Sequence, residues 1–482
     1  MSILSNTITT IRKIYSSLFG NFIDVSRLES IQGQQTTDES IEHIDVSFAK
    51  DVREAIKWYG ANSDEVPSIV NANKIGIIGK KVNIQSRIKN NPELNEAIED
   101  YISWFSEVGN CDVTGRFHLN EAWRTMVEFI DKDGGFLIRH HFNTKWDIPY
   151  RFEIIEVGMI DISKNNDTDT LNGLKKDKYG RITHIWLYNT QERLESSLIS
   201  MDSMLYFSPV WISLSQYTAV SKLAPILPSI DRLNRYTKAE LDAAIEKSKA
   251  GKYWKTALYD DLIKIVKQIQ DSKEKKASIK EVMNALSNQA VKPSGLTPIP
   301  LGDDIVTENM NNDSVYGVLS TNTQLKMSSS QGLSSQIVFQ DPSKSNYSAI
   351  KSMLALGQIK WSVEFDDLVE KVMKPIIYNV IKAGVTAGHI QADDYFQNPR
   401  KYHKLDFMRV SEIDIEPTKT AMANKQNLLN GTHSKREIVA KRGRNIEDVY
   451  REEIEDEIAR QKMRVEMFKK AGVKIPQEEQ EQ

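Results

Sequence analysis

The apolar positions of this chain change period several times, and those changes divide it into regions. Phe48, Val52, Ile56 and Tyr59 recur at helical spacing, with Trp58 beside the stripe. Residues 68–86 read as a short helix, a glycine-punctuated turn and an alternating strand. Two helices are predicted at about 92–107 and 119–132, the second stopped by Asp133-Gly134-Gly135. Beyond that stop the period becomes two. Phe136–Phe142, Arg151–Val157 and Arg181–Tyr188 alternate as strands, and Lys178-Tyr179-Gly180-Arg181 supplies the turn before the third. Residues 136–210 are expected to form an antiparallel, meander-type sheet inside an α/β domain.

Helical spacing then returns. Pro225 and Pro228 announce a helix from near Ser229, with a stripe of Ile230, Leu233, Leu241, Ala244 and Ile245 that Gly251 ends. Residues 260–289 read as two charged helices, the second opened by a Ser278/Glu281 capping box. Pro293, Gly295, Pro298, Pro300 and Gly302 break the next segment into turns and one or two short strands. The strongest helix runs from Tyr347 through Trp361, Phe365 and Val372 to Ile381, with a kink expected at Pro375. Three helices close the chain, at about 417–430, 435–442 and 446–470. Ser434 with Glu437 forms a capping box, Gly431 and Gly443 act as stops, and Gly472 ends the last helix. There are no internal repeats.

At 482 residues the chain exceeds a single core, so two or more domains are expected. The formal charge of -3 exerts no bulk pull on nucleic acid or anionic membrane. One cysteine, Cys111, excludes an internal disulfide framework and a multi-cysteine metal site, and fits a reducing compartment. No apolar run is long enough to span a membrane. The periodic stretch from Ile3 to Phe19 reads as an amphipathic helix that packs on another subunit. Between 417 and 482 there are 14 Lys/Arg against 12 Asp/Glu, a balance that favours interhelical and intersubunit pairing over phosphate binding.

The chemical motifs fail one by one. Gly76-Ile77-Ile78-Gly79-Lys80-Lys81 has two residues between its glycines where a phosphate cradle needs four, and no hydroxyl follows. Asp131-Lys132-Asp133-Gly134 lacks the further acids of a calcium loop and reads as a helix stop. His140 and His141 are adjacent on a strand and face opposite sides, which disfavours joint metal ligation. The residues argue for no catalysis, no metal and no cofactor.

Residues 309–346 stand apart. Of 38 positions, 20 are Ser, Thr, Asn or Gln, with two Lys (Lys326, Lys344) and two Asp (Asp313, Asp341). The first half supports a helix through Val315, Leu319 and Thr323, and Gly332 to Asn346 reads as a loop. Two readings remain open: a surface loop between helices, or a lining along which a polyanion slides. Each phosphate neutralised by a cation anchors the strand through counterion release, so a polar, nearly uncharged surface would tolerate passage.

Several motifs resemble the lambda-type portal proteins of tailed bacteriophages, in that family's order. Asn71…Gly76…Gly79…Gln85-Ser86 is similar to its "N-x-x-x-G-x-G-x-x-x-Q-S" region with looser glycine spacing. Asp133-Gly134-Gly135…Arg139 resembles "D-G-E-x-x-x-R", with Gly135 replacing the acid, and Ile154-Ile155-Glu156…Ile160-Asp161 resembles "I-E-P-x-x-I-D", with Val157 and Gly158 where proline is usual. Lys178-Tyr179-Gly180-Arg181 resembles "D-x-x-G-R". Asn346-Tyr347-Ser348-Ala349 is similar to "N-Y-S-S-x-R", with Lys351 for the arginine. The closest motif is Asp414-Ile415-Glu416-Pro417-Thr418-Lys419, followed by Asn430-Gly431-Thr432-His433-Ser434-Lys435-Arg436-Glu437; its usual preceding tryptophan is missing and Phe407 is nearest.

The resemblance implies a non-enzymatic α+β multidomain fold and a ring, typically of twelve subunits, at one capsid vertex, assembled in the host cytoplasm. It implies an N-terminal arm (1–47), a wing with an antiparallel sheet (48–224), a first stem helix (225–251), and a clip (252–308). A second stem helix (309–331), a tunnel loop (332–346), a long wing helix with a return strand (347–416) and a helical crown (417–482) follow. The implied partners are further copies of the chain, double-stranded DNA without sequence specificity, the large terminase subunit, the major capsid or scaffold protein, and a head–tail adaptor. The DNA contacts expected from composition and loop position are Lys326, Gln336, Gln340 and Lys344. The rivals are a capsid-associated scaffold without a channel and a nucleic-acid-processing enzyme, which would need an acidic metal cluster.

Overall fold

A computed structural model describes residues 46–89, 91–166, 169–210, 216–249, 252–255, 296–299, 313–341, 346–409 and 416–471. The expected helices at 3–19 and 260–289, and Gly472, lie outside the described residues. The chain divides into two compact units, Met1–Leu227 with Met327–Gln482, and Pro228–Lys326.

In the discontinuous unit, helices α1 (Val46–Asn62), α2 (Glu65–Ile78), α3 (Pro92–Phe105) and α4 (Leu119–Asp133) begin and end within about three residues of the stretches that predict them. The Asn91 side chain caps α3 by accepting from Leu94 N. Gly134 ends α4 in the left-handed region at φ 82°, and a Cβ there would meet the Val220 backbone at 2.3 Å. Only glycine satisfies both constraints.

Strand β2 (Phe136–Phe142) pairs antiparallel with β3 (Tyr150–Glu156) on one side and, through a later strand (Met204–Phe207), on the other. Trp123 stacks on Phe152 at 6.2 Å and Phe105 on Tyr150 at 5.9 Å, which packs α3 and α4 onto this sheet. Strands β4 (Thr170–Leu171), β5 (Leu174–Lys176), β6 (Ile182–Tyr188) and β7 (Ser196–Ser200) form a separate meander; the returning strand is β8. The single meander expected over 136–210 is therefore two sheets. Both edges of β2 are occupied, and Cys111–Val113 covers part of β3's outer edge by exchanging backbone hydrogen bonds with Phe152. The later strands close instead over an apolar cluster that includes Leu137, Ile160, Ile185 and Leu187.

The second unit starts with α5 (Leu227–Lys249, whose first residue belongs to the other unit), followed by β9 (Lys252–Lys255), which pairs parallel with β10 (Leu296–Ile299). Helix α6 (Asp313–Ser330) returns beside α5, with Tyr236 stacked on Tyr316 at 5.8 Å. Of the α5 stripe, Ile230 and Leu233 are buried, whereas Leu241 is 60% and Ile245 41% exposed.

A short helix α7 (Ser335–Val338) precedes α8 (Tyr347–Leu368), which continues through a π-helical segment (Val369–Met373) into α9 (Lys374–Ala387). The kink expected at Pro375 takes this form. Proline has no N–H to give and its ring crowds the carbonyl four residues back, and the wider turn accommodates both. One face of α8–α9 buries Trp361, Phe365, Val372, Ile376 and Ile377, while Leu356, Ile359 and Val363 are exposed on the other. Gly76 of α2 lies under Trp361; a Cβ there would come within 2.1 Å of the indole. The glycine read as part of a failed phosphate loop thus serves a close helix crossing.

After α10 (Pro399–Tyr402), β11 (Leu405–Arg409) pairs antiparallel with β1 (Val82–Ser86), from Val82↔Arg409 to Ser86↔Leu405. The buried Arg409 donates to Gly76 O and, at 2.9 Å, to Ser362 Oγ. Helices α11 (Pro417–Leu429), α12 (Lys435–Lys441) and α13 (Ile446–Ala471) follow. The Ser434/Glu437 capping box is present, and Gly431 and Gly443 have φ of 68° and 70°.

Candidate nucleic-acid interface

The polar segment is α6, a tight stop, α7 and the residues to Asp341. Between Asp313 and Asp341 its one cation is Lys326. The α6 surface is chemically quiet: Thr321 and Thr323 turn their hydroxyls back onto Gly317 O and Leu319 O, each at 2.8 Å. A hydroxyl bonded four residues back is satisfied by its own helix and presents mainly its methyl outward. Lys326 is exposed.

The end of α6 is a Schellman motif. Leu333 N donates to Ser328 O, Gly332 N to Ser329 O, and Gly332 is left-handed at φ 68°. Met327 and Leu333 bury the accompanying apolar contact. The stretch from Gly332, expected to be a loop, therefore opens as a capped turn followed by a helix. Val338 is buried as α7 leans on α2 and α8. The pattern Ser330-Gln331-Gly332-Leu333 is a legible stop signal that the polar composition obscures.

The expected contact residues fall differently. Lys326 belongs to the Pro228–Lys326 unit, and Gln336 and Gln340 to the other. Gln336 is half-buried, and its Oε1 accepts from Ser335 Oγ at 3.3 Å. Gln340 is exposed and left-handed at φ 54°. Lys344 lies outside the described residues.

Sequence reasoning missed the polar anchor beneath this segment. Gln331 Nε2 donates to Lys222 O at 3.0 Å, and Lys222 pairs with Glu364 of α8 at 2.8 Å. Deeper, Asn73 donates to Asp131 Oδ2 at 2.9 Å while its Oδ1 accepts from Lys360 (3.0 Å) and Trp361 (3.2 Å). Ser221 Oγ donates to Asp131 O and accepts from Leu223 N. Burial pushes the Asp131 carboxyl up to about 6 against the pull of Asn73 and the lysines. Burial also lowers the Lys360 ammonium, with Glu364 and Asp131 opposing. Asn73 and Asp131 each sit within an apolar helical stripe, the signal that could have exposed them.

Cys111 and the two histidines are held by burial and by local partners. Burial pushes the Cys111 thiol up to about 12, and His140, held at 2.9 Å from Tyr150 Oη, down to about 4. His141 pairs separately with Glu153, so the adjacent histidines face apart as expected. Among the described residues, no group of three His, Cys, Asp or Glu is placed to hold a metal ion, and no helix is long and apolar enough to cross a membrane.

A family model described as phage portal protein, lambda family, matches residues 29–358, more than half of the chain. The chain belongs to the lambda family of phage portal proteins. Portals of this family are structural and non-enzymatic, and their role as a DNA channel follows from the family. Membership implies a homo-oligomeric ring at the capsid vertex with capsid and terminase partners. No curated protein matches this portal.

Proposed function

We propose that this portal conducts DNA along α6 and the residues that follow it, through a surface chosen for low friction rather than for grip. The observation that carries this reading is the exposed, hydroxyl- and amide-rich helix with Lys326 as its single cation. A duplex carries one charge per about 1.7 Å, and every cation set against it adds affinity by counterion release. A ring studded with lysines would hold the strand. A ring with one or two per subunit would steer it while letting it move.

In this reading α5 and α6 are the stem helices, the residues between them form the clip that docks the large terminase subunit and later a head–tail adaptor, and 332–346 is the tunnel loop. The body is the wing, α11–α13 the crown, and twelve subunits close the ring during assembly in the host cytoplasm. The compactness of Pro228–Lys326 as a unit supports a separate stem and clip. Lys326 and the exposed Gln340 are the leading contacts, Lys344 the next, and Gln336 the weakest because Ser335 engages its amide.

Lys326→Ala and Lys344→Ala are expected to change the packaging yield or the retention of packaged DNA. Wild-type values for both variants would overturn the assignment. Negative-stain images of the purified portal should show rings with a hole about one duplex wide; a population of monomers and dimers would remove the channel.

A further inference from the structure

Among the described residues, strand β1 has a neighbouring strand on one edge only. Just past its register with β11, Arg87 N donates to Lys404 O at 2.8 Å. Bonded residues alternate in an antiparallel ladder, so Asn83 and Gln85 turn their backbone groups to β11, and Val82, Ile84 and Ser86 turn theirs away. Side chains stand in for a second strand at the two ends of this outer edge. Asn120 Oδ1 accepts from Val82 N at 2.8 Å, and Glu99 Oε1 accepts from Ser86 N at 2.9 Å. Between these caps the N–H and C=O of the half-buried Ile84 have no partner among the described residues. The buried Ser86 hydroxyl has none either.

Unpaired backbone groups at a strand edge are a template for a further strand. Here they open into a groove of about 450 Å³ between α3 and the start of α13. The groove is acidic. Glu99, Asp100, Glu107, Asp448 and Glu452 line it against Lys81 and Arg444, and Arg444 is already bonded to Glu452. Asp100, Glu107 and Asp448 are exposed and enter no ion pair among the described residues. Burial pushes the Glu99 carboxyl above the usual carboxylate range, the Ser86 amide pulls it back, and Asp448 adds to the push. The groove gathers more negative charge than its own cations neutralise.

We propose that this groove docks a basic segment of another protein, taken in extended form as an added strand beside β1 and bonded to the backbone of Ile84. Pairing at Ile84 requires an extended chain. The acids on both walls select lysine or arginine along it, because successive side chains of a strand point to opposite faces. A nucleic acid would be repelled by the same walls. The site lies wholly within the discontinuous unit, so it stands or falls independently of the channel.

The probe is a short fluorescent peptide that alternates lysine and valine, titrated onto the full chain at low salt and followed by anisotropy. Saturable binding is expected, with a glutamate–valine peptide bound about tenfold more weakly. Asp100→Lys with Glu107→Lys should weaken the lysine peptide about tenfold, and Asp448→Asn alone about threefold. Methylation of the two central backbone nitrogens of the peptide should abolish binding, and the intact peptide should slow amide exchange at Ile84 about tenfold. No saturable binding, equal binding of the glutamate peptide, or wild-type binding by all the acid variants would each overturn the proposal. So would binding that leaves Ile84 exchange unchanged, since the acids would then attract the peptide without the strand edge pairing with it. An Ile84 amide already protected in the portal alone would mean that the edge is taken by this chain or a second copy, and would overturn it as well.

Discussion

Two long helical stretches of this portal, α8–α9 and α13, carry equally regular apolar stripes and meet opposite fates. Trp361, Phe365, Val372 and Ile376 are buried by the chain's own body, and the polar groups among them have partners: Lys360 on Asn73, Ser362 on Arg409. Ile454 and Ile458 are exposed, and α13 touches the body mainly at its start, where Ile446 is buried and Arg451 reaches Glu96 at 3.2 Å. A helix is stabilised mostly by packing its apolar face rather than by propensity. The α8–α9 face is therefore covered within its own unit, whereas the α13 stripe is exposed among the described residues.

That contrast breaks most readily at the α2–α8 crossing. Gly76→Ala would drive a methyl into the Trp361 ring and force the helices apart, at an expected cost of about 3 kcal/mol in thermal unfolding. A loss well under 1 kcal/mol would mean that the crossing has slack and that the body is less complete than its packing indicates.

The buried carboxyl comes next. With Asp131 raised to about 6 in the fold, its contribution to stability is whole below about pH 4 and is lost as pH rises through about 6. Measured against Asp131→Asn, the wild type should lose on the order of 2 kcal/mol between pH 4 and 7. A difference that stays flat across denaturant melts in that range would place the carboxylate in water rather than in the core.

The smallest effect tests the separation itself. Ser434→Ala removes the α12 capping box and should cost about 1 kcal/mol. It should appear as faster amide exchange over 435–441 with the melting of the body unchanged. Equal losses in both would join the C-terminal helices and the body into one cooperative unit.

Much of this fold was legible in the chain. β2 starts and ends where the alternation places it, α4 stops at Gly134, and α12 begins at Ser434, because caps, turns and periodicity act within a few residues. The pairing of β1 with β11 had no such signal, since it joins segments more than 300 residues apart. The split of one expected sheet into two turned on which edges were already occupied. At the candidate interface, composition located the segment, but the roles of its residues were assigned by packing: Gln331 became an anchor, Gln336 was partly engaged, and Lys326 stayed exposed.

Read alone, the amino-acid order was enough for the elements, the family motifs and the polar track, since each is encoded over distances shorter than a helix. Only the folded chain could reveal that Gly76 is a crossing point, that Asn73 and Asp131 are structural, and that the α13 stripe is exposed among the described residues. Burial depends on which distant segments come to lie against one another, and no local pattern specifies that.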